Sequence, residues 1–310
     1  MSNLRQRRPS TTESLITALQ ALEKKAGSKL LLLWDDLPPW RRDNAFIRSG
    51  YRQTCASYAR SFQSLFYLHN ESVNIWTHLL GALAAITASA YVYYVVHPRY
   101  EEATSSDVLV FSCFFGGAIL CLGMSATFHA LLDHSEDVAK WGNKLDYTGI
   151  VALIVGSYVP ALYYGFFCNP ALMSAYLYLI CILGIACAIV SWVERFRTPK
   201  WRTYRASLFI GLGLSGVIPV IHGVSVYGYA ELEERMSISW IVAQGAMYIF
   251  GAVLYAVRWP ERSFPGSFDI WGSSHQIFHV FVLLAAATHF YGMAKAFDAH
   301  HRNGPPCVLD

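Results

Sequence analysis

Four ionisable residues stand at the rims of apolar runs in this chain of 310 residues. His129 closes Ser125-Ala-Thr-Phe-His129, His275 and His279 frame His275-Gln-Ile-Phe-His279, and Asp146 lies in Leu145-Asp146-Tyr147-Thr148-Gly149. Ionisable groups are costly in a bilayer and tend to mark function there. Histidine is the commonest metal ligand, and neutral imidazole suits zinc. The four-residue spacing of His275 and His279 puts both rings on one face of a helix. His129 adds a third nitrogen from another segment, and Ser125 lies four residues earlier on the same face and deeper. Three protein ligands with a free position is the catalytic pattern for zinc, whereas structural sites are usually closed by four. Zinc lowers the pKa of bound water to about 7. Asp146 would hold that water and act as general base, or complete the shell itself. The chemistry is metal-assisted hydrolysis of an amide or ester that enters from lipid.

The elements that must position these residues are membrane helices. The chain is 54% hydrophobic and only 15% charged, with a mean hydropathy of +0.32. Soluble domains carry about 25% charge. The 19 Tyr, 18 Phe and 9 Trp fit aromatic belts at two interfaces, with Trp76, Trp192, Trp240 and Trp259 as anchors. A net charge of +3 without a basic run interleaved with aromatics points away from nucleic acid. A span needs about 20 apolar residues, and seven segments qualify, near 75–96, 108–131, 146–167, 171–193, 205–227, 238–257 and 276–297. The expected fold is all-α with seven transmembrane helices in a multi-pass protein of the plasma membrane or endoplasmic reticulum. Residues 1–73 form an N-terminal region, 74–297 the membrane domain and 298–310 a short tail.

Loop charges set the orientation. The loops after the second, fourth and sixth segments carry Lys140, Lys144, Arg195, Arg197, Lys200, Arg202, Arg205, Arg258 and Arg262, and the N-terminal region is rich in Arg and Lys. The other side has Arg99, Arg235, Lys295 and Arg302. The N-terminus is therefore expected in the cytoplasm and the C-terminus outside or in a lumen. On that topology the second segment ends, and the third and seventh begin, at the cytoplasmic face. His129, Asp146, His275 and His279 then share one side of the membrane at similar depth. A single rim histidine is more often an interfacial hydrogen-bonder than a ligand, and it is this co-location that favours a metal site. His78 lies at the same rim, beside the site. His222 and His289 read as packing residues, and His97, His134, His300 and His301 as loop residues.

No two of the seven cysteines form a CxxC pair, and most lie in apolar runs, where Cys acts as a small hydrophobe. Neither a disulfide framework nor a thiolate metal site is expected. Near the N-terminus, Ser10-Thr-Thr-Glu13 reads as a capping box, followed by Leu15, Leu19 and Leu22 at helical spacing and a stop at Gly27. This is either a helix lying on a membrane or partner, or a weakly ordered amphipathic segment. Phe46 to Leu68 is apolar but broken by Arg48, Arg52 and Arg60, which suits an interfacial segment or a short intracellular helix better than an eighth span.

The motifs resemble the progestin and adipoQ receptor family, which includes adiponectin receptors, hemolysin III-like proteins and fungal relatives. The matching stretches are Leu37-Pro-Pro-Trp-Arg-Arg-Asp-Asn44, Gly50-Tyr-Arg52, Asn70-Glu-Ser-Val-Asn-Ile-Trp-Thr-His-Leu-Leu-Gly81, Ser125–His129, Leu145–Ile150, Phe264–Trp271 and Ser274–Val280. They cover residues 37–297 in the family's order and look closest to fungal members. The resemblance implies seven transmembrane helices, a cytoplasmic N-terminus and a lipid-filled cavity opening toward zinc. It implies zinc on His129, His275 and His279, with Asp146 near the metal water and Ser125 as the family serine. It also implies a ceramidase-like activity, and roles in zinc homeostasis and in sterol and lipid metabolism.

Three functions compete. The first is a zinc-dependent lipid amidase, a hydrolase acting on a ceramide- or sterol-like membrane lipid. The second is a non-enzymatic receptor with structural zinc and an extracellular protein ligand. The third is a zinc-homeostasis protein. A transporter needs polar groups along a path, and here they gather at one face. The short outer connections, 97–107, 168–170 and 228–237, leave little surface for docking a large protein.

Overall fold

The computed structural model describes residues 31–101, 103–302 and 307. Among the described residues, seven helices are long and apolar enough to span a membrane: α1 Ser72–Arg99, α2 Ser105–Leu131, α3 Glu136–Gly165, α4 Pro170–Trp192, α5 Pro199–Tyr227, α6 Ile238–Val257 and α7 Ser274–Arg302. Each matches an apolar run in the sequence. Their ends follow capping chemistry rather than hydropathy. Thr104 and Asp107 form a reciprocal capping box at the start of α2. The Ser135 side chain accepts the Val138 N–H, so α3 begins ten residues before its apolar run. At α4 the Asn169 side chain accepts the Leu172 N–H, with Pro170 in the first turn.

The helices α2 and α3 pack backbone to backbone. A Cβ on Gly117 would stand 2.5 Å from the Ala152 carbonyl oxygen, and one on Gly149 would stand 2.7 Å from the Cys121 Cα. Small residues allow this approach, which supplies packing where lipid offers no hydrophobic drive between helices. The pair therefore fixes Ser125 and His129 relative to Asp146. α5 is interrupted between Leu214 and Val217. The Tyr158 hydroxyl of α3 donates to the Gly213 carbonyl at 2.7 Å, which satisfies an acceptor freed at the break.

On the face where α2 ends and α7 begins, the N-terminal region folds into the bundle. A two-residue strand β1, Leu31–Leu32, pairs antiparallel with β2, Tyr51–Arg52, a small addition to the all-helical expectation. The short helix Tyr58–Gln63 follows, within the stretch expected to be interfacial or briefly helical. The segment Ser10–Gly27 lies outside the described residues. Arg52 is fully buried. Its guanidinium donates to the carbonyls of His129 at 2.6 Å and Ala130 at 2.8 Å and pairs with Asp133 at 3.3 Å. A cation at these last carbonyls complements the helix dipole and clamps the end of α2. Glu261 accepts the Ser274 N–H at 2.8 Å, which caps the start of α7 in the same way with opposite charge.

The opposite face corrects two expectations. Cys168 and Cys307 are disulfide-bonded across 139 residues, where no disulfide was expected. Residue spacing shows local metal motifs but cannot show pairing over such a separation. His300 and His301 belong to the last turn of α7, not to a loop, because the helix outruns its apolar stretch. His301 Nε2 lies 3.2 Å from Asp107, which also accepts the Tyr164 hydroxyl at 2.7 Å. The connection 228–237 contains a helix, Tyr229–Met236, whose Leu232 and Met236 are buried with Phe166. His222 joins α4 to α5 through the Tyr176 hydroxyl at 2.6 Å.

Candidate metal centre

The last turn of α2 and the first turns of α7 bring three histidines together. One nitrogen from each of His129, His275 and His279 lies within 4.8 Å of the other two. The ring centroids are 4.9, 5.0 and 4.8 Å apart for the three pairs. His129 and His279 are buried and His275 is half-buried. The four-residue spacing seen in sequence places the α7 pair, and the membrane topology delivers His129 to the same depth.

Hydrogen bonds choose which nitrogen is left free on two of the three rings. His129 Nδ1 lies 2.7 Å from Glu71 Oε2. A carboxylate accepts, so Nδ1 carries the hydrogen and Nε2 keeps its lone pair. That Nε2 is buried and has no partner among the described residues. His279 Nδ1 lies 3.2 Å from the Asn74 carbonyl, which likewise leaves its Nε2 free. Carboxylate and carbonyl partners of this kind fix tautomer and ring orientation at metal-binding histidines. Three converging imidazoles, two with preset tautomers and one with an orphaned buried nitrogen, fit a zinc ion by number and donor type.

Glu71 is itself held in place. Asn74 Nδ2 donates to its carboxylate at 2.8 Å. Burial alone would raise its pKa, but hydrogen bonding and charge interaction with His129, together with Asn74 and His275, hold it below the ordinary carboxylate range. Its backbone N–H donates to His69 Nδ1 at 3.1 Å. Burial pushes His69 down to about 3, which keeps that ring a neutral acceptor. Sequence reasoning missed Glu71, Asn74 and Arg52 as supports of the centre. The signal was present in Asn70-Glu71-Ser-Val-Asn74, which puts an acid and an amide in the first turn of a membrane helix on the histidines' side.

Asp146 and Ser125 do not join the three-histidine cluster, but both line the cavity that His275 and His279 also line. His78 stacks on His279 with centroids 3.6 Å apart, beside the site as expected from its place at the rim. The cavity encloses about 570 Å³ and runs among α2, α3, α5, α6 and α7. Its walls are mostly aliphatic and aromatic, including Ile150, Leu153, Phe209, Ile241, Phe278 and Val282. That volume suits a small-molecule ligand, and such walls suit an acyl chain.

Comparison with known proteins bears on this geometry. The family model for haemolysin-III related proteins matches residues 66–290, a stretch holding all three histidines, Glu71 and Asp146. The chain belongs to this family. It is 43% identical to the ADIPOR-like receptor IZH2 of Saccharomyces cerevisiae over 91% of this chain and 89% of that protein. It is 46% identical to an adiponectin receptor protein of Drosophila melanogaster over 84% of this chain. It spans only 58% of that longer fly protein. It is also 34% identical to heptahelical transmembrane protein 1 of Arabidopsis thaliana, over 86% of this chain and 81% of the plant protein. This chain is thus a multi-pass, receptor-like membrane protein of the haemolysin-III related family.

Proposed function

We propose that His129, His275 and His279 hold zinc and that the adjoining cavity presents a ceramide-like lipid amide to it. The orphaned, buried Nε2 of His129, directed by Glu71 among two further imidazoles, carries this reading. Bound zinc supplies Lewis acidity, which polarises an acyl oxygen and makes water nucleophilic near neutral pH. The protein's own residues do the rest. Glu71 and Asn74 hold two rings in their binding tautomers. The Asp146 carboxylate takes a proton as water adds to the acyl carbon, then passes a proton to the departing amine as the C–N bond breaks. Ser125 lines the same wall and orients Asp146. The apolar walls hold the acyl chain and exclude bulk water. This activity would place the protein in lipid or sterol metabolism and couple it to zinc homeostasis.

The loop charges favour a cytoplasmic side for this centre. The Cys168–Cys307 bond at the other face supports that orientation, since disulfides persist in oxidising compartments. A second reading has zinc bracing a receptor that answers an extracellular protein ligand. It is favoured by the way the triad ties α2 to α7, so that a brace alone would unite two of the most buried helices.

Purified protein in lipid nanodiscs separates the two. Wild type is expected to bind zinc and to release sphingoid base from ceramide, measured by mass spectrometry. His275→Ala should lose the metal. Asp146→Ala should keep it and lose turnover. No ceramide hydrolysis by zinc-loaded wild type would sink the amidase and leave the brace.

A further inference from the structure

The cavity is not uniformly apolar. His289 is 1% exposed and lines it, yet neither ring nitrogen has a hydrogen-bond partner among the described residues. Apart from His78, which stacks on His279 at the triad, two more cavity-lining groups share this state: Gln244 Oε1 and the Tyr248 hydroxyl are buried and have no partner among the described residues. A buried polar atom without a partner is destabilising, more so where no water can reach it. Three such side chains, on α6 and α7, turn toward one largely apolar cavity.

They line the same cavity at similar depth. Met247 Sδ accepts the Thr288 hydroxyl at 3.8 Å, and the rings of Trp240 and Tyr291 lie 4.6 Å apart. Gln244, between those two positions on α6, is therefore level with His289 on α7. Tyr248 is one turn nearer the triad. Phe114 holds the His289 ring from the other side, centroids 4.9 Å apart. His289 follows His279 by ten residues of unbroken helix, which is about 15 Å of rise and roughly half the hydrocarbon thickness of a bilayer. The cavity thus has two polar stations, the histidine triad at its rim and this second one at mid-depth, with aliphatic wall between.

We propose that the mid-depth station of His289, Gln244 and Tyr248 binds a hydroxyl or keto group carried within the acyl chain of a lipid whose head sits at the triad. This rests on the reading of the cavity as a lipid site with zinc at its rim. The three side chains offer both donors and acceptors, so they recognise an oxygen that can do either. A chain bare of oxygen leaves them unpaired. The preferred ligand class is an oxygenated long-chain acyl lipid, with the oxygen about 15 Å from the acyl carbon.

Octadecanoyl hydroxamate, its 12-hydroxy analogue and its 2-hydroxy analogue test this on zinc-loaded protein in nanodiscs. The hydroxamate anchors at the metal and leaves no amide to cleave, and affinity is read by displacement of a fluorescent acyl hydroxamate. The 12-hydroxy compound is expected to bind about tenfold tighter than the unsubstituted one, the value of one well-made hydrogen bond. The 2-hydroxy compound should gain nothing. His289→Leu and Gln244→Leu should each shrink the 12-hydroxy preference toward parity while zinc content and unsubstituted binding persist. Either variant suffices if the other fails to fold. Equal affinities in wild type, or a preference that survives both substitutions, would overturn the mid-depth station alone. Failure of all three compounds to bind would instead overturn the lipid and zinc reading beneath it.

Discussion

The seven spans divide into two sets. In the most apolar stretch of each, α2, α3 and α7 bury 50%, 44% and 39% of their residues, whereas α1, α4, α5 and α6 bury 6%, 17%, 17% and 6%. The inner three carry every residue first suspected of chemistry: His129 and Ser125 on α2, Asp146 on α3, His275 and His279 on α7. The outer four present large side chains such as Ile185, Ile189 and Ile221 outward, where lipid would meet them. The division shows how a membrane protein places ionisable groups. They ride on the more buried helices, of which α2 and α3 are in close backbone contact, while α5 and α6 of the outer set complete the cavity wall. α1 is instructive because it belongs to both sets. Most of it faces outward, but Asn74 and His78 in its first turns are buried against the site.

Several substitutions would break or sharpen this contrast. The largest effect is expected at the triad itself. Replacing His129, His275 and His279 together by alanine should reduce zinc by at least tenfold from about one ion per chain, measured by elemental mass spectrometry. Equal metal in the triple variant and wild type would end the metal reading. Next comes the clamp. Arg52→Ala leaves Asp133 buried without its cation and the His129 and Ala130 carbonyls without a donor. Breaking a buried pair this way costs about 3–5 kcal/mol and should lower the thermal midpoint strongly. Weaker again is Gly149→Leu, which forces a side chain into the Cys121 backbone. Overpacking of this kind costs about 1–3 kcal/mol, and it should also shift Asp146 relative to His129. The same change at Gly211 of α5, where an added Cβ meets nothing within 4 Å, should be tolerated.

The outer and inner sets were unequally legible. Every span was readable because a bilayer demands about 20 apolar residues whatever the helix packs against. The meeting of His129, His275 and His279, with Asp146 on the adjoining cavity, was also readable, because helix direction alone fixes which helix ends lie together. Beyond topology, legibility fell. The sequence offered no means of pairing Glu71 with His129 across 58 residues, since nothing periodic links a helix's first turn to another helix's last. Arg52 looked like an interruption in an apolar stretch, and only the fold shows that it ends α2. Cys168 and Cys307 meet because α4 starts and α7 ends at the same face. His289 read as packing, which its contact with Phe114 supports. Its unpartnered nitrogens became visible only once the cavity wall could be traced.

Glu71→Gln tests the link between the outer helix and the inner centre more finely. The amide keeps the size of the carboxylate but removes its charge and its unconditional acceptor role toward His129 Nδ1. Loss of such a supporting carboxylate typically weakens metal binding by about 10–100-fold, readable by chelator competition, with the fold intact by thermal melting. An unchanged zinc affinity would show that the ring is held by packing alone. At the far end of the scale stands Ile185→Ala on α4, a residue 62% exposed on a helix that contributes nothing to the cavity. A surface change of this kind is worth about 0.5 kcal/mol or less, and zinc content and ligand affinity should both stay at wild-type values. A measurable loss of zinc there would mean that the outer helices set the geometry of the triad, and that the division between inner and outer sets is structural but not functional.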